Sequence, residues 1–130
     1  MHGTKVTLAE LGWDEMASVV DRAPETRWKL VFSSERTGTG AMSMGLAEIP
    51  PGRKLPLHHH EPPEIYHALE GEGLVEIDGT AHALEPGVSV FIPGNASHVT
   101  RNTGGGPLRF LFVFPTDSLE DVVYHFEERA

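Results

Sequence analysis

The chain has 130 residues, a formal net charge of −9 and a pI near 5.2, a length at which one domain buries a core without disulfides or a structural metal. It contains no cysteine, which excludes thiolate zinc sites, disulfide frameworks and thiol nucleophiles. Its ten Lys and Arg are scattered along the sequence, so no basic face is predicted and nucleic acid is not expected as a partner.

Residues 1–24 predict an arm that precedes the main domain. Gly12 interrupts a loosely helical spacing of apolar side chains and Pro24 ends it, which favours a short helix or an extended arm. The apolar positions are Leu8, Leu11, Trp13, Met16, Val19 and Val20. The arm lacks the apolar core of a signal peptide, and no stretch of the chain approaches the roughly 20 apolar residues of a membrane span. We therefore expect a soluble, cytoplasmic protein without a membrane partner.

From Arg27 onward the apolar residues alternate, as in half-buried β-strands. Glycine- and proline-rich turns separate roughly ten such segments, among them RWKLVFSS, AMSMGLAEI, LPLHHH, EIYHAL, LVEI, TAHAL, VSVFI, SHVTRN and LRFLFVF. Asp78-Gly79, between LVEI and TAHAL, suits a two-residue hairpin turn. Short strands at this spacing predict an all-β fold, a small antiparallel barrel.

After Pro115 the pattern becomes helical or irregular. Asp117 or Ser118 can cap a short turn that holds Leu119, Val122 and Val123. No internal repeat and no second domain is visible, so residues 1–130 are predicted to form a single domain. Its parts are an arm at about 1–24, a barrel at about 27–115 and a tail at 116–130.

Side chains able to bind a metal or to catalyse a reaction are concentrated in the stretch GRKLPLHHHEPPEIYHALEG. Side chains alternate faces in a strand, so His58 and His60 share one face while His59 takes the other. If the chain turns at EPP and resumes as a strand, Glu64 and Tyr66 face the same interior. Two imidazoles and a carboxylate that converge on one point form a metal-ligand set.

His98, in the segment SHVTRN after Pro93, offers a fourth ligand. Three imidazoles and one carboxylate suit Fe(II), Mn(II), Ni(II), Zn(II) or Co(II) almost equally, so the metal is not determined. Such a set leaves one or two coordination positions open, as in Lewis-acid or oxygen-activating sites. The alternative is a metal that only braces the barrel.

Tyr66 is the first candidate for catalysis because it shares the parity of Glu64 and lies about 6 to 7 Å along the predicted strand. A phenol has a pKa of about 10, and a divalent cation nearby favours the phenolate, so Tyr66 can serve as a base or a ligand. The alternative is a core tyrosine whose hydroxyl is bonded to a neighbour.

The other candidates have simpler roles. His59, His67 and His82 are predicted at the surface, and Glu48 near the end of a strand. Tyr124 follows the last helical turn and either folds back over a barrel mouth or packs as part of the tail. Phe110, Phe112 and Phe114 are predicted to belong to the barrel core, and the alternative is that they form one apolar wall of the pocket.

The spacing of the histidine-rich stretch resembles the first motif of the cupin superfamily. Gly52 is followed after five residues by His58-x-His60, after three more by Glu64 and after six more by Gly71. The match is complete and without a gap.

The second cupin motif is matched by a later stretch. Gly87 is followed after five residues by Pro93, and His98 is followed after three residues by Asn102. One position departs from the family pattern, because Asn95 stands where the family usually has glycine; asparagine tolerates the left-handed conformation better than most residues. The resemblance implies a double-stranded β-helix (jelly-roll) barrel with the metal held by the two motifs, through His58, His60, Glu64 and His98.

A closer likeness extends over most of the chain. The order RWK, GLAEIPPG, the ligand run with EIY, PGNASH and FPTD resembles the small cupin-type dimethylsulfoniopropionate lyases. In that family a metal-bound substrate carboxylate acidifies the α-carbon, a tyrosine removes the α-proton, and dimethyl sulfide leaves from acrylate. The resemblance implies that Tyr66 is the base, that Tyr124 lies near it in the pocket, and that the protein is a homodimer acting on a small molecule.

Two other classes of function remain open on the sequence. The same ligand set suits an Fe(II)-dependent cupin dioxygenase, or an isomerase of a sugar or small organic acid. A non-catalytic cupin that binds a small ligand is the alternative outside enzymes.

Overall fold

The computed structural model describes residues 3–14 and 22–127 of the chain. These residues form strands and only short helical turns. The strands are β1 (Arg27–Phe32), β2 (Ser43–Ile49), β3 (Lys54–His59), β4 (Glu64–Glu70), β5 (Gly73–Ile77), β6 (Thr80–Leu84), β7 (Ser89–Ile92), β8 (His98–Asn102), β9 (Leu108–Phe114) and β10 (His125–Phe126). The helical turns are α1 (Ser34–Thr37) and two 3-10 turns, Leu8–Glu10 and Leu119–Asp121. None of the helices in these two ranges is long and apolar enough to cross a membrane.

The strands form two five-stranded antiparallel sheets that share one core. The strand order is β1-β2-β9-β4-β7 in the first sheet and β10-β3-β8-β5-β6 in the second. Buried apolar side chains of both sheets belong to a single cluster. The all-β antiparallel fold predicted from the alternating segments is therefore confirmed. The two packed sheets also agree with the jelly-roll barrel that the cupin resemblance implies.

Strand β9 shows how the alternation builds the core. Phe110, Phe112 and Phe114 are buried, and the residues between them are partly exposed. Trp28 of β1 meets Phe112 edge-on, with ring centroids 5.3 Å apart. Gly45 of β2 allows this close packing, because a Cβ there would lie 2.5 Å from the Phe112 ring and 2.9 Å from a backbone oxygen.

Two turns confirm what their residue types predicted. Asp78 and Gly79 have φ values of 45° and 87°, the left-handed pair that joins β5 to β6 in a tight hairpin. Asn95 has a φ of 63°, so asparagine does occupy a left-handed position. Its N–H donates to the His60 carbonyl at 2.8 Å, which ties this turn to the end of the histidine run.

The first predicted strand is wrong at its end, because β1 stops at Phe32 and Ser34 begins α1. Thr37 forms the competing interactions: its N–H and its hydroxyl both donate to the Ser33 carbonyl, at 2.9 and 3.0 Å. Gly38 then ends the helix in the left-handed conformation. Local hydrogen bonds of Ser and Thr often replace strand pairing in this way.

The tail contains one strand that the sequence pattern does not reveal. Ser118 caps the 3-10 turn, as predicted, since its hydroxyl accepts from the Glu120 N–H. The chain then forms β10, which pairs His125 with His59 and Phe126 with His58 at the edge of the second sheet. In the arm, the described residues contain the 3-10 turn; the predicted helical positions Met16, Val19 and Val20 lie outside the described ranges.

Candidate metal centre

Three histidines meet between the two sheets. His58 of β3 is the register partner of His98 in β8, and their ring centroids lie 4.2 Å apart. His60 follows β3 by one residue, with its ring 5.4 Å from that of His58 and 5.0 Å from that of His98. All three are at most 1% exposed. Their ligand atoms lie within 4.8 Å of one another, so the group could hold a metal ion.

Each imidazole is oriented by the main chain next to it. The Nδ1 atoms of His58, His60 and His98 lie 2.8, 2.9 and 2.9 Å from carbonyl oxygens of Pro56, Pro62 and Ala96. A carbonyl only accepts, so each Nδ1 carries the proton. The Nε2 atoms are therefore left as the ligand atoms, and such an outer hydrogen bond is typical of metal-binding histidines.

The unpaired Nε2 atoms fit a metal. Those of His58 and His98 are buried and have no hydrogen-bond partner among the described residues. A buried nitrogen without a partner is costly, and an ion at the common centre would satisfy both. Burial and the neighbouring His98 hold the pKa of His58 well below its ordinary value, so its Nε2 lone pair is free to bind.

Glu64 brings the negative charge from the opposite sheet. It begins β4, is 4% exposed, and its Oε1 lies 3.2 Å from His60 Nε2 and 3.5 Å from His98 Nε2. Burial alone raises the pKa of Glu64, but the contacts and charges of the two nearby imidazoles lower it overall. Burial lowers the pKa of His60, and Glu64 raises it overall. The Glu64 carboxylate thus favours positive charge next to His60 and His98.

Tyr66 lies beside the histidine group. It is 1% exposed, its ring centroid is 6.4 Å from that of His98, and its hydroxyl lies 3.0 Å from Thr100 Oγ1. Burial, and then the charge of Glu64, raise the pKa of Tyr66 well above its ordinary value. The phenol is therefore protonated in the protein alone.

Tyr124 covers the outer side of the histidines. Its ring stacks on His58 at 4.9 Å and meets His60 edge-on at 5.2 Å. It is 8% exposed, and its hydroxyl makes no hydrogen bond with a described residue. Burial, Glu64 and Tyr66 raise the pKa of Tyr124 well above its ordinary value. The ring of Tyr124 therefore packs against the histidine group, and its place in a catalytic pocket remains a prediction.

The family comparisons agree with this geometry. The cupin domain family matches residues 45–114. The dimethylsulfoniopropionate lyase DddW of Ruegeria pomeroyi is 41% identical over 108 residues, which cover 82% of this chain and 69% of the lyase.

The chain belongs to the cupin superfamily.

Within the superfamily, this cupin is similar to the dimethylsulfoniopropionate lyases, as its sequence predicts. It is also 30% identical over 112 residues to an oxalate-binding protein of Thermotoga maritima, covering 85% of this chain and 93% of that protein. The crystal structure of a predicted oxalate decarboxylase from Thermotoga maritima superposes with a TM-score of 0.73 at 27% identity, covering 87% of this chain and 99% of that one.

The remaining candidates of this cupin lie away from the centre. His82 is exposed, and His67 is partly buried with its Nδ1 2.7 Å from Ser89 Oγ. His59 points outward and stacks on His125 with centroids 5.0 Å apart. Glu48 lies near the end of β2, as predicted, and its ion-pair partners are arginines of the first sheet.

Sequence reasoning missed one of two aromatic residues at the centre. Phe114 meets His60 edge-on at 5.1 Å, and Phe126 lies 5.4 Å from His58. The inward parity of Phe114 in β9 predicted either the core or one apolar wall of the pocket. Nothing in the local pattern of Phe126 indicates its place, because the pairing of β10 with β3 creates it.

Proposed function

We propose that this cupin is a metal-dependent lyase that cleaves dimethylsulfoniopropionate to dimethyl sulfide and acrylate. The observation that carries the proposal is a buried three-histidine group, in which the Nε2 atoms of His58 and His98 are unpaired, with two tyrosines beside it. The 41% identity to a protein named as this lyase supports the choice of substrate.

The ligands in this proposal are His58, His60, His98 and Glu64, with one divalent ion among Fe, Mn, Ni, Zn and Co. A divalent ion there would polarise a substrate carboxylate as a Lewis acid and lower the pKa of a neighbouring phenol. The convergence of the four side chains from both sheets supports this assignment.

Tyr66 is the proposed base. Its oxygen takes the proton from the α-carbon of the substrate, and the electron pair of that C–H bond forms the α,β double bond. The bond from the β-carbon to sulfur breaks, and sulfur leaves with its electron pair as neutral dimethyl sulfide. Thr100 Oγ1, 3.0 Å from the Tyr66 hydroxyl, orients the oxygen. One base suffices because only one proton moves.

Tyr124 is the proposed pocket residue. Its ring excludes water from His58 and His60, which strengthens electrostatic interactions inside the site. The substrate is a small molecule, since the centre lies between two packed sheets. Homodimerisation remains a prediction.

Headspace gas chromatography of the protein with dimethylsulfoniopropionate and each metal in turn tests the proposal. We expect dimethyl sulfide with at least one metal, and its loss in His58→Ala. His59→Ala, one residue away on the opposite face, is the matched control and should retain activity. If no dimethyl sulfide were detected with any of the metals, the lyase proposal would be wrong.

A second candidate is a cupin that binds a small carboxylate without turnover, and the oxalate-binding relative favours it. Isothermal titration with oxalate and with dimethylsulfoniopropionate separates the two. Tight binding of oxalate together with no dimethyl sulfide would establish the binding protein.

A further inference from the structure

A cleft of about 570 Å³ lies outside the barrel, on the outer face of the second sheet. Its floor is the start of β3 and the end of β8, where Lys54 and Arg101 are register partners. Residues 22–26 of the arm form its wall. Lys54 lies four residues from His58 along β3, roughly 13 Å, whereas Pro56, which also lines the cleft, contacts the centre through the hydrogen bond of its carbonyl to His58.

The charge of this cleft is opposite to that of the chain. The protein has a formal net charge of −9 and only ten Lys and Arg in total. Four of these ten line the cleft, and Glu25 is the one acidic residue of its lining. The basic side chains are Arg22, Arg53, Lys54 and Arg101. A concentration of positive charge on an acidic protein costs electrostatic energy and attracts anions.

The existing contacts leave the charge of Arg101 uncompensated. Glu25 pairs with Arg53 at 2.6 Å, but both side chains are more than half exposed, so the pair is weak. Arg101 is half-buried, and its side chain has no hydrogen bond or ion pair with a described residue. It also faces Lys54 across the two strands, and like charges directly opposite each other destabilise a sheet.

We propose that this cleft binds a small anion with at least two negative charges, a phosphate ester or a polycarboxylate. Guanidinium groups bind phosphate and carboxylate through two parallel N–H donors. The hydroxyls of Thr26 and Thr103 add neutral donors in the lining. The volume is in the range of small-molecule sites, which lies between about 300 and 1,000 Å³.

Arg101 is the residue to test. Isothermal titration of the whole protein with inorganic phosphate and with citrate, at constant ionic strength, should show saturable binding. Arg101→Gln should weaken the binding roughly tenfold, the value of one hydrogen bond to a charged group. Arg36→Gln is the matched control, since it removes the same charge at a side chain that pairs with Asp14 away from the cleft.

A variant that is expected to increase the affinity for anions, rather than to decrease it, strengthens the test. Glu25→Gln releases Arg53 from its ion pair and should tighten anion binding up to about fivefold. The metal content of all three variants, measured by plasma mass spectrometry, should equal that of the wild type, which separates this cleft from the centre inside the barrel.

Equal affinities in Arg101→Gln and Arg36→Gln, or no saturable binding at all, would overturn the proposal. Cosedimentation with phosphatidylserine vesicles, without binding of phosphate or citrate, would also overturn it, because the anion would then belong to a membrane surface.

Discussion

The ring of Tyr124 stacks on the imidazole of His58, with centroids 4.9 Å apart and planes inclined by 29°. The tail that carries Tyr124 is attached on its far side by Glu127, whose N–H donates to the Leu57 carbonyl and whose carboxylate accepts from Ser97. The tail thus covers one side of the histidine group.

Two replacements of Tyr124 distinguish the contribution of its ring to stability from that of its hydroxyl. Tyr124→Ala removes the packing on His58 and His60 and should cost roughly 3 kcal/mol of unfolding free energy. Tyr124→Phe keeps the ring and loses a hydroxyl that makes no hydrogen bond with a described residue, so its cost should stay below about 1 kcal/mol. Urea denaturation measures both. Equal losses would contradict the role assigned to the ring.

Thr100→Val removes the partner of the Tyr66 hydroxyl. A buried phenol is then left without a hydrogen bond, which should cost about 1–3 kcal/mol. Thr100→Val combined with Tyr66→Phe should be less destabilised than the sum of the single variants, because both polar groups are gone. Strict additivity of the unfolding free energies would show that the bond contributes no stability.

Tyr66→Phe should lower lyase turnover roughly 100-fold or more if Tyr66 is the base. Tyr124→Phe is the comparison, because its ring lies closer to the histidines but its proposed role is packing. Both rates are measured as dimethyl sulfide released, at matched metal content. Unchanged turnover in Tyr66→Phe with a large loss in Tyr124→Phe would transfer the base to Tyr124.

Removal of the metal should lower the thermal midpoint. A ligand present at about 100 times its dissociation constant stabilises by roughly 2.7 kcal/mol, so chelation should produce a shift of several degrees. His98→Ala and Glu64→Gln should abolish this shift and bind less than one metal ion per chain. His59→Ala serves as the control and should retain both the shift and the metal.

Glu48 gives the protein an acid-sensitive contact. Burial raises its pKa, but hydrogen bonds from Arg27 and Arg109 outweigh this and lower it below 4.5. A lowered pKa means that the stabilisation is complete above the unfolded value and is lost as the pH falls through the folded one. Glu48→Gln should therefore be about 2 kcal/mol less stable than the wild type at pH 7.

The difference between Glu48→Gln and the wild type should shrink as the pH drops below about 4. Glu70→Gln is the matched control, because Glu70 also contacts Arg109, at 3.4 Å, but its side chain is 52% exposed. That variant should lose less than about 1 kcal/mol at any pH. Urea denaturation between pH 7 and pH values below about 4 measures these differences. If the difference in unfolding free energy between Glu48→Gln and the wild type did not change with pH, the role assigned to the Glu48 carboxylate would be contradicted.

Local pattern predicted those features that depend on strand parity and turn chemistry. His58 and His60 are buried while His59 is not, because alternation alone assigns their faces. The turn at Asp78 follows in the same way from residue type. Contacts between distant segments could not be predicted in this way. The stack of Tyr124 on His58 depends on the pairing of β10 with β3, and β10 has only two residues, too few for a recognisable strand pattern.

The anchoring of each Nδ1 to a carbonyl two residues away has a wider consequence. The main chain sets the ligand directions, so side chains that line the rest of the pocket can be exchanged without turning the imidazoles. In a lyase of the proposed kind, the directions of the ligand atoms would then depend on the local main chain, and the shape of the pocket on other side chains. Variants of Tyr124 and Phe126 that keep a ring are expected to preserve the three Nδ1 contacts.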